Sequence, residues 1–298
     1  MYLKDLIRES AARLSQYPER EAREMVFLLL ENLIGTKRHT HIVEPSFEVS
    51  DENVAMVQRA CVRLESGEPL QYVLGLANFY GRDFKVSPSV LIPRPETEIL
   101  CRTAIDILKD SGNVSDVRIL DMCTGSGCIA WTMALESPGA DVTAVDISDA
   151  ALEIAGSQNF YSELELTGAK APDFIKADVL CPPQDDSLRI EQEGRRLFDL
   201  ILSNPPYVMD KEKALMRPNV LEHEPHLALF VSDEDPLVFY RAVAQWASVL
   251  LTADGTGIVE INEALGAETA QVFLDAGFSK AEVIKDFSDR DRFVLFRY

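Results

Sequence analysis

The stretch Asp121-Met122-Cys123-Thr124-Gly125-Ser126-Gly127 follows an apolar run and opens a segment of helical composition. Glycines at a strand-to-helix turn let the backbone approach a ligand closely, and the amino end of a helix favours a negatively charged group. A tight turn without any ligand has the same appearance. Residues 121–127 therefore predict a strand–loop–helix unit of an α/β fold, and a ligand site only if a second signal supports it.

Strand-like and helix-like segments alternate around and after this stretch. The candidate strands are Val117–Met122, Val142–Asp146, Phe174–Ala177, Leu200–Ser203, Ile258–Ile261, Ala281–Ile284 and Phe293–Phe296. Such alternation predicts a mostly parallel sheet of seven strands that is covered by helices on both faces. Residues 181–197 contain Pro182-Pro183 and many charges, and are interpreted as a polar insertion.

A carboxylate ends the second candidate strand, Val142-Thr143-Ala144-Val145-Asp146. Asp146 follows the glycines by about 20 residues, a spacing at which a carboxylate can accept hydrogen bonds from both hydroxyls of a ribose. Alone, such an acid is more often a helix cap. Together with the glycine-rich turn it favours a nucleoside-containing cofactor, and the two signals leave a nicotinamide dinucleotide and S-adenosylmethionine open.

The stretch Ser203-Asn204-Pro205-Pro206-Tyr207 follows the apolar run of residues 198–202. Two prolines make a rigid loop, the Asn204 amide offers an acceptor and two donors, and Tyr207 has a flat face with a polar tip. The Asn204 oxygen and the Pro205 carbonyl can accept the two hydrogens of a planar NH2 group while Tyr207 covers its plane. A loop of this kind has no role in hydride transfer. It therefore favours S-adenosylmethionine over a nicotinamide dinucleotide as the cofactor, and its composition disfavours a purely structural turn.

The amino-terminal part of the chain has helical patterns instead. Residues 2–16, a segment after Pro18 that ends at Gly35, and a segment that Ser50 caps and Gly67 ends are predicted helices. The aromatic-rich residues 79–86 predict a β-hairpin with Val90-Leu91-Ile92 as the second strand. The predicted organisation is a helical domain over residues 1–75, a hairpin linker over 76–95 and an α/β domain over 96–298.

The composition of the chain disfavours several classes of protein. The 298 residues carry a formal net charge of -20, which disfavours nucleic acid as a direct partner. The 5 cysteines are an odd number without Cys-x-x-Cys spacing, which indicates a reducing cytoplasm rather than disulfides or a zinc site. No apolar run is long enough to span a membrane. The pairs His39/His41 and His223/His226 lack a third ligand at a convincing spacing, so no metal is expected.

Several further strings resemble one family. They are Gln71-Tyr72-Val73-Leu74-Gly75, Phe79-Tyr80-Gly81, Phe84-Lys85-Val86, Val90-Leu91-Ile92-Pro93-Arg94-Pro95-Glu96-Thr97-Glu98, Glu224-Pro225-His226-Leu227-Ala228-Leu229, Lys285-Asp286 and Asp289-Arg290-Asp291-Arg292. With the glycine-rich loop, the acid that ends the second strand and Asn-Pro-Pro-Tyr, they resemble the HemK/PrmC family over nearly the whole chain. Arg94 is interpreted either as a substrate clamp or as the ion-pair partner of Glu96 or Glu98.

The resemblance implies a class I S-adenosylmethionine-dependent methyltransferase fold, Rossmann-like, and methylation of the glutamine in the Gly-Gly-Gln loop of peptide chain release factors. It implies that residues Cys123, Thr124, Gly125, Ser126 and Gly127 wrap the methionine part of the cofactor and that Asp146 holds the ribose. Val179, which stands where the family often has an aromatic residue, is placed in the cofactor site as well. Asn204, Pro205, Pro206 and Tyr207 are the implied catalytic and substrate-binding residues, and Asn204 also faces the cofactor.

The alternatives are glutamine methylation of a ribosomal protein, methylation of adenine N6 in DNA, and a non-catalytic binding module. The negative charge and the lack of a basic recognition domain disfavour the DNA enzyme, which has to bind a duplex and flip out a base. An intact Asn-Pro-Pro-Tyr disfavours the binding module. Nothing in the site separates a release factor from a ribosomal protein.

Overall fold

A computed structural model describes residues 1–111, 115–183 and 197–298. These residues divide into two compact units, Met1–Leu76 with Arg217–His223, and Ala77–Met216 with Glu224–Tyr298. Most of the polar insertion that the sequence predicts at 181–197 lies outside the described residues. Each unit has its own hydrophobic core.

The first unit is helical. Its helices are α1 (Leu3–Arg13), α2 (Glu19–Ile34), α3 (Thr40–Val43), α4 (Asp51–Glu65), α5 (Leu70–Leu74) and α10 (Pro218–His223). Ser50 caps α4 by accepting a hydrogen bond from the Asn53 backbone at 3.3 Å, and Gly35 ends α2 in the left-handed conformation. Apolar residues at helical spacing form the core, among them Leu6, Val26, Leu29, Val57 and Leu64.

A two-stranded hairpin follows, but it is shorter than the sequence predicts. Strands β1 (Leu76–Phe79) and β2 (Arg82–Lys85) pair with each other across Tyr80-Gly81, which have φ of 50° and 76°. Two positive φ values suit the tight turn of a two-residue hairpin. The prediction that residues 90–92 form the second strand is therefore wrong. Pro88 and Pro93 flank those residues and lack the N–H donors that a ladder needs.

The second unit continues with alternating helices and strands. They are α6 (Thr97–Asp110), β3 (Ser115–Met122), α7 (Cys128–Glu136), β4 (Gly139–Asp146), α8 (Asp149–Gly156), α9 (Tyr161–Thr167), β5 (Asp173–Lys176), β6 (Phe198–Ser203), β7 (Val208–Met209), β8 (Phe230–Val231), α11 (Val238–Leu250), β9 (Leu251–Glu260), α12 (Gly266–Asp275), β10 (Lys280–Lys285) and β11 (Asp291–Arg297). Short 3-10 helices cover Asp210–Leu215 and His226–Ala228.

Within the described residues the main sheet has seven strands in the order β10-β11-β9-β6-β3-β4-β5. The neighbours from β9 to β5 are parallel, and β11 runs antiparallel to β9 and β10. This arrangement confirms the predicted class I methyltransferase fold. The order reverses at β3, which has β4 on one side and β6 on the other, so a crevice opens beyond the carboxyl ends of these strands.

Both faces of the sheet are buried. Ile119 of β3 packs into the cluster that includes α6 and α7, while its neighbour Leu120 packs into the cluster that includes α11. Because the central strands are covered on both sides, they are continuous apolar runs. None of the helices in the described ranges is long and apolar enough to cross a membrane.

Candidate active site

The glycine-rich loop connects β3 to α7. Gly125 and Gly127 have φ of 55° and 79°, and Gly127 is the residue that caps α7. A Cβ on Gly127 would lie 3.0 Å from the Cβ of Ala155 and 3.2 Å from Trp131, whereas a Cβ on Gly125 would meet nothing within 4 Å. Gly127 is thus required for packing, while Gly125 leaves open space beside the loop. Cys123 also has a positive φ, 63°, which is unusual for a side chain with a Cβ.

Asp146 lies at the end of β4, beside the loop, because Met122 and Val145 are register partners in the neighbouring strands. Its carboxylate accepts hydrogen bonds from the backbone N–H groups of Gly125 and Ser148, both at 2.9 Å. Burial raises the pKa of Asp146, and these backbone donors partly offset the effect. The carboxylate is thus held beside the glycine-rich loop.

The Asn-Pro-Pro-Tyr loop follows β6, the other neighbour of β3. The Asn204 amide Nδ2 donates to the Thr97 hydroxyl at 3.2 Å, and the Tyr207 hydroxyl donates to Glu260 Oε1 at 3.0 Å. Burial raises the pKa of Tyr207 well above its ordinary value, and the Glu260 carboxylate raises it further. The polar tip of Tyr207 is therefore bound to the protein.

A cavity of about 370 Å³ lies between these loops. Predicted site residues on its wall are Cys123, Thr124, Gly125, Ser126, Asp146, Val179, Asn204 and Pro206. The wall does not include Gly127, Pro205 or Tyr207. Gly127 and Pro205 are buried, and Tyr207 is partly buried. The structure thus brings together residues from three separate strand ends around one space.

The cavity fits S-adenosylmethionine by the chemistry of its wall. Its volume lies within the range of small-molecule sites. Asp146 offers carboxylate oxygens as acceptors for ribose hydroxyls, and open space beside Gly125 admits a ligand close to the backbone. Apolar side chains line the remainder, including Ile147, Val179 and Phe239, and they suit an adenine ring.

Three buried residues at or near the cavity were given no role from the sequence, namely Thr97, Asp121 and Glu260. Asp121 accepts hydrogen bonds from the Thr124 hydroxyl at 2.5 Å and the Ala130 N–H at 3.2 Å, and burial raises its pKa to about 7. Thr97 and Glu260 hydrogen bond to each other at 2.7 Å. The sequence does contain a sign that Glu260 belongs to the site, because it is an acid at the end of the apolar run Ile258-Val259, as Asp146 is at the end of its strand.

Arg94 has a different partner from those expected. It pairs with Glu224 at 2.6 Å, and Glu224 also accepts from the Ile92 N–H at 3.2 Å. The expected pairing with Glu96 or Glu98 is wrong. Glu98 instead accepts a hydrogen bond from the Tyr80 backbone at 2.9 Å, while the Glu224 side chain is 1% exposed and requires a cation. Arg94 lies on the cavity wall, and a role as a substrate clamp stays a prediction.

The histidine pairs add no metal centre. His39 and His41 lie at α3, and His223 and His226 lie at α10 and at the 3-10 helix after it. Throughout the described ranges, no group of three or more His, Cys, Asp or Glu residues is placed to hold a metal ion.

The fold, the glycine-rich loop, the Asp146 carboxylate and the Asn-Pro-Pro-Tyr loop define the chain as a class I S-adenosylmethionine-dependent methyltransferase. Residues 102–224 match the model of the methyltransferase small domain, and residues 5–75 match the PrmC N-terminal domain. The chain belongs to the release factor glutamine methyltransferase family.

Two relatives support membership of this family. The release factor glutamine methyltransferase of Flavobacterium psychrophilum is 36% identical over 94% of this chain and 93% of its own length. That of Bacteroides thetaiotaomicron is 37% identical over 93% and 92%. Among solved structures, the hMettl16 catalytic domain in complex with a MAT2A 3′UTR hairpin has a TM-score of 0.52 at 14% identity, covering 85% of this chain and 84% of that one. That likeness concerns the fold alone.

Proposed function

We propose that this chain transfers a methyl group to the side-chain amide nitrogen of the glutamine in the Gly-Gly-Gln motif of peptide chain release factors, and thereby modulates translation termination. The observation that carries the proposal is the position of Asn204 on the wall of the cofactor cavity, in a chain whose relatives are named for this reaction. An asparagine amide next to a methyl donor suits a substrate that is itself a planar NH2 group.

The chemistry requires alignment more than activation. An amide nitrogen is a poor nucleophile because its lone pair is delocalised, and bound S-adenosylmethionine supplies a methyl group that is already strongly electrophilic. The Asn204 Oδ1 atom and the Pro205 carbonyl are proposed to accept the two hydrogens of the glutamine NH2 group, which fixes its plane and raises its electron density. Pro206 and Tyr207 keep the loop rigid, and Tyr207 is proposed to cover the plane of the amide.

Residues Cys123, Thr124, Gly125, Ser126 and Gly127 are proposed to wrap the methionine part of the cofactor, with Asp146 at the ribose and Val179 at the adenine. The helical domain over residues 1–75 is proposed to recognise the release factor and to take no part in the chemistry. The negative charge of the chain supports a protein partner rather than nucleic acid, and a cytoplasmic location follows from a substrate in translation.

Replacing Asn204 with alanine tests this proposal. Asn204→Ala removes an acceptor from the substrate amide and frees its rotation, so kcat is expected to fall by about two to four orders of magnitude. Cofactor affinity, measured by calorimetry, should stay within about threefold, because the ribose and adenine contacts remain. Near-normal turnover together with a lowered melting temperature would assign Asn204 a structural role in the turn and contradict the proposal.

A further inference from the structure

A buried chain of hydrogen bonds runs from Asn204 into the protein. Asn204 Nδ2 donates to Thr97 Oγ1 at 3.2 Å, and Thr97 Oγ1 donates to Glu260 Oε2 at 2.7 Å. Thr97 is 2% exposed and Glu260 is 1% exposed. The second carboxylate oxygen of Glu260 accepts from the Tyr207 hydroxyl. The first and last residues of the Asn-Pro-Pro-Tyr loop are therefore tied to one buried acid at the end of β9.

The chemistry of these groups fixes the direction of each bond. Glu260 accepts one hydrogen bond at each carboxylate oxygen, from the Thr97 hydroxyl and from the Tyr207 hydroxyl, and a hydroxyl has a single proton to donate. Because Thr97 donates its proton to Glu260, its oxygen can only accept from Asn204. The NH2 side of the Asn204 amide must then face Thr97, which leaves Oδ1 as the free acceptor. Oδ1 makes no hydrogen bond within the part of the chain that the structure describes.

We infer that Thr97 and Glu260 are positioning residues that hold the Asn204 amide in the orientation needed for methyl transfer. This inference rests on the proposed function. A flipped amide would present an NH2 group to the NH2 group of the substrate, and two donors repel each other.

Hydrogen bonds that do not involve Thr97 hold the backbone of the Asn-Pro-Pro-Tyr loop. Asn262 Nδ2 donates to the Tyr207 carbonyl at 3.2 Å and to Glu212 at 2.8 Å, and Tyr207 keeps its own bond to Glu260. Removal of the Thr97 hydroxyl should therefore release the Asn204 side chain while the loop backbone stays in place. This separation allows a positioning role to be distinguished from a structural one.

The test compares three substitutions in the full chain. Thr97→Val has the same shape without the hydroxyl, and Thr97→Ser keeps the hydroxyl. Thr269→Val is the matched control, because Thr269 of α12 is equally buried and its hydroxyl has no hydrogen-bond partner among the described residues. We expect Thr97→Val to lower kcat on release factor by about 10- to 100-fold with KM and cofactor affinity within about threefold, as for loss of alignment at the reacting atom.

Thr97→Ser should restore kcat to within about threefold of the native enzyme, and Thr269→Val should leave it unchanged. In the Asn204→Ala background, Thr97→Val should cause no further loss, since both substitutions remove the same interaction. Native turnover in Thr97→Val, or an additive loss in the double variant, would overturn the inference. If the melting temperature of Thr97→Val differs from that of the native protein, Thr97→Ala is measured in its place, with the same expected results.

A second readout does not depend on activity. The side-chain NH2 signals of Asn204 in ¹⁵N NMR spectra are identified as the pair that Asn204→Ala removes. They should shift and exchange faster with water in Thr97→Val, and stay unchanged in Thr269→Val. Unchanged signals in Thr97→Val would overturn the inference even if the enzyme methylates release factor. A native enzyme that fails to methylate release factor would instead refute the proposed function, and the amide signals would still decide the orientation.

Discussion

Cys123 occupies a backbone conformation that favours glycine. Its φ of 63° places the Cβ close to the following carbonyl, which costs about 1–2 kcal/mol for a residue other than glycine. Cys123 lies on the cavity wall, and burial raises the pKa of its thiol, so the thiol stays protonated and uncharged.

Because Cys123 has a positive φ, we expect glycine to be more stabilising than alanine at this position, which is the reverse of their order inside a helix. Cys123→Gly should be more stable than Cys123→Ala by about 1 kcal/mol, since only glycine relieves the positive φ. Cys101 in the middle of α6 is the control, and there alanine should be more stable than glycine by about 1 kcal/mol. Urea unfolding of the four variants measures both differences. The same order at both positions would show that Cys123 is not strained.

Asp121 predicts a dependence of stability on pH. Its folded pKa of about 7 exceeds the ordinary 3.8, mainly because of burial, so the folded state holds a proton that the unfolded state has lost. The free energy of unfolding should therefore fall as pH rises between these two values. The slope is about 1.4 kcal/mol per pH unit and flattens near the folded pKa, so the loss from about pH 5.5 to pH 7 is about 1.6 kcal/mol.

Asp121→Asn removes this titration. Compared with the native protein without cofactor, the variant should gain about 2 kcal/mol in relative stability between about pH 5.5 and pH 8. Other titrating groups cancel in that comparison. A stability difference that is the same at both pH values would mean that the Asp121 carboxyl is ionised throughout and that its burial has little effect.

At the residue level, the sequence indicated side chains that the structure brings to one cavity, and their chemical roles stay predictions. The glycines, Asp146 and Asn204 are recognisable because each stands at the end of a strand with a specific chemical use. Thr97 and Glu260 were not assigned a role, because their hydrogen bond joins residues 163 positions apart. Such a pair becomes visible only when the sheet and α6 are in place.

At the scale of elements, hydrophobic patterning located the strands of the main sheet and the principal helices. The second hairpin strand was misplaced because Val90 and Ile92 alternate as a strand would, and both are indeed buried. Their burial comes from packing outside a ladder, and the turn at Tyr80-Gly81 had already closed the hairpin. The local sequence does not show whether such residues are buried in a paired strand or by packing outside a sheet.

The helices α1 to α5 are proposed to recognise the substrate. A truncated chain that begins at Leu76 should still bind S-adenosylmethionine, because every residue on the cavity wall belongs to the second unit. It should methylate a short Gly-Gly-Gln peptide as the full chain does, yet methylate intact release factor at least about tenfold more slowly, the loss of about 1.4 kcal/mol of binding. Calorimetry with the cofactor checks that the truncated chain is folded. Full activity on intact release factor would contradict the assignment.

The whole chain has an excess of acidic residues, and among the described residues of the cavity wall Arg94 is the one with a basic side chain. A net charge of -20 produces a field that repels phosphate backbones and favours basic protein surfaces. This charge disfavours methylation of DNA adenine, whose substrate is a phosphate-rich duplex. It does not separate a release factor from a ribosomal protein, so the substrate itself has to be measured.

Mass spectrometry of release factor incubated with the enzyme and S-adenosylmethionine is the most direct test of glutamine methylation by this chain. Intact mass counts the methyl groups, and fragmentation locates them. Ribosomal proteins, duplex DNA and a release factor with its Gly-Gly-Gln glutamine changed to alanine are treated in parallel. We expect one methyl group on the glutamine of the native release factor and none on the other three. An unmodified release factor, or a methyl group on a ribosomal protein or on adenine instead, would contradict it.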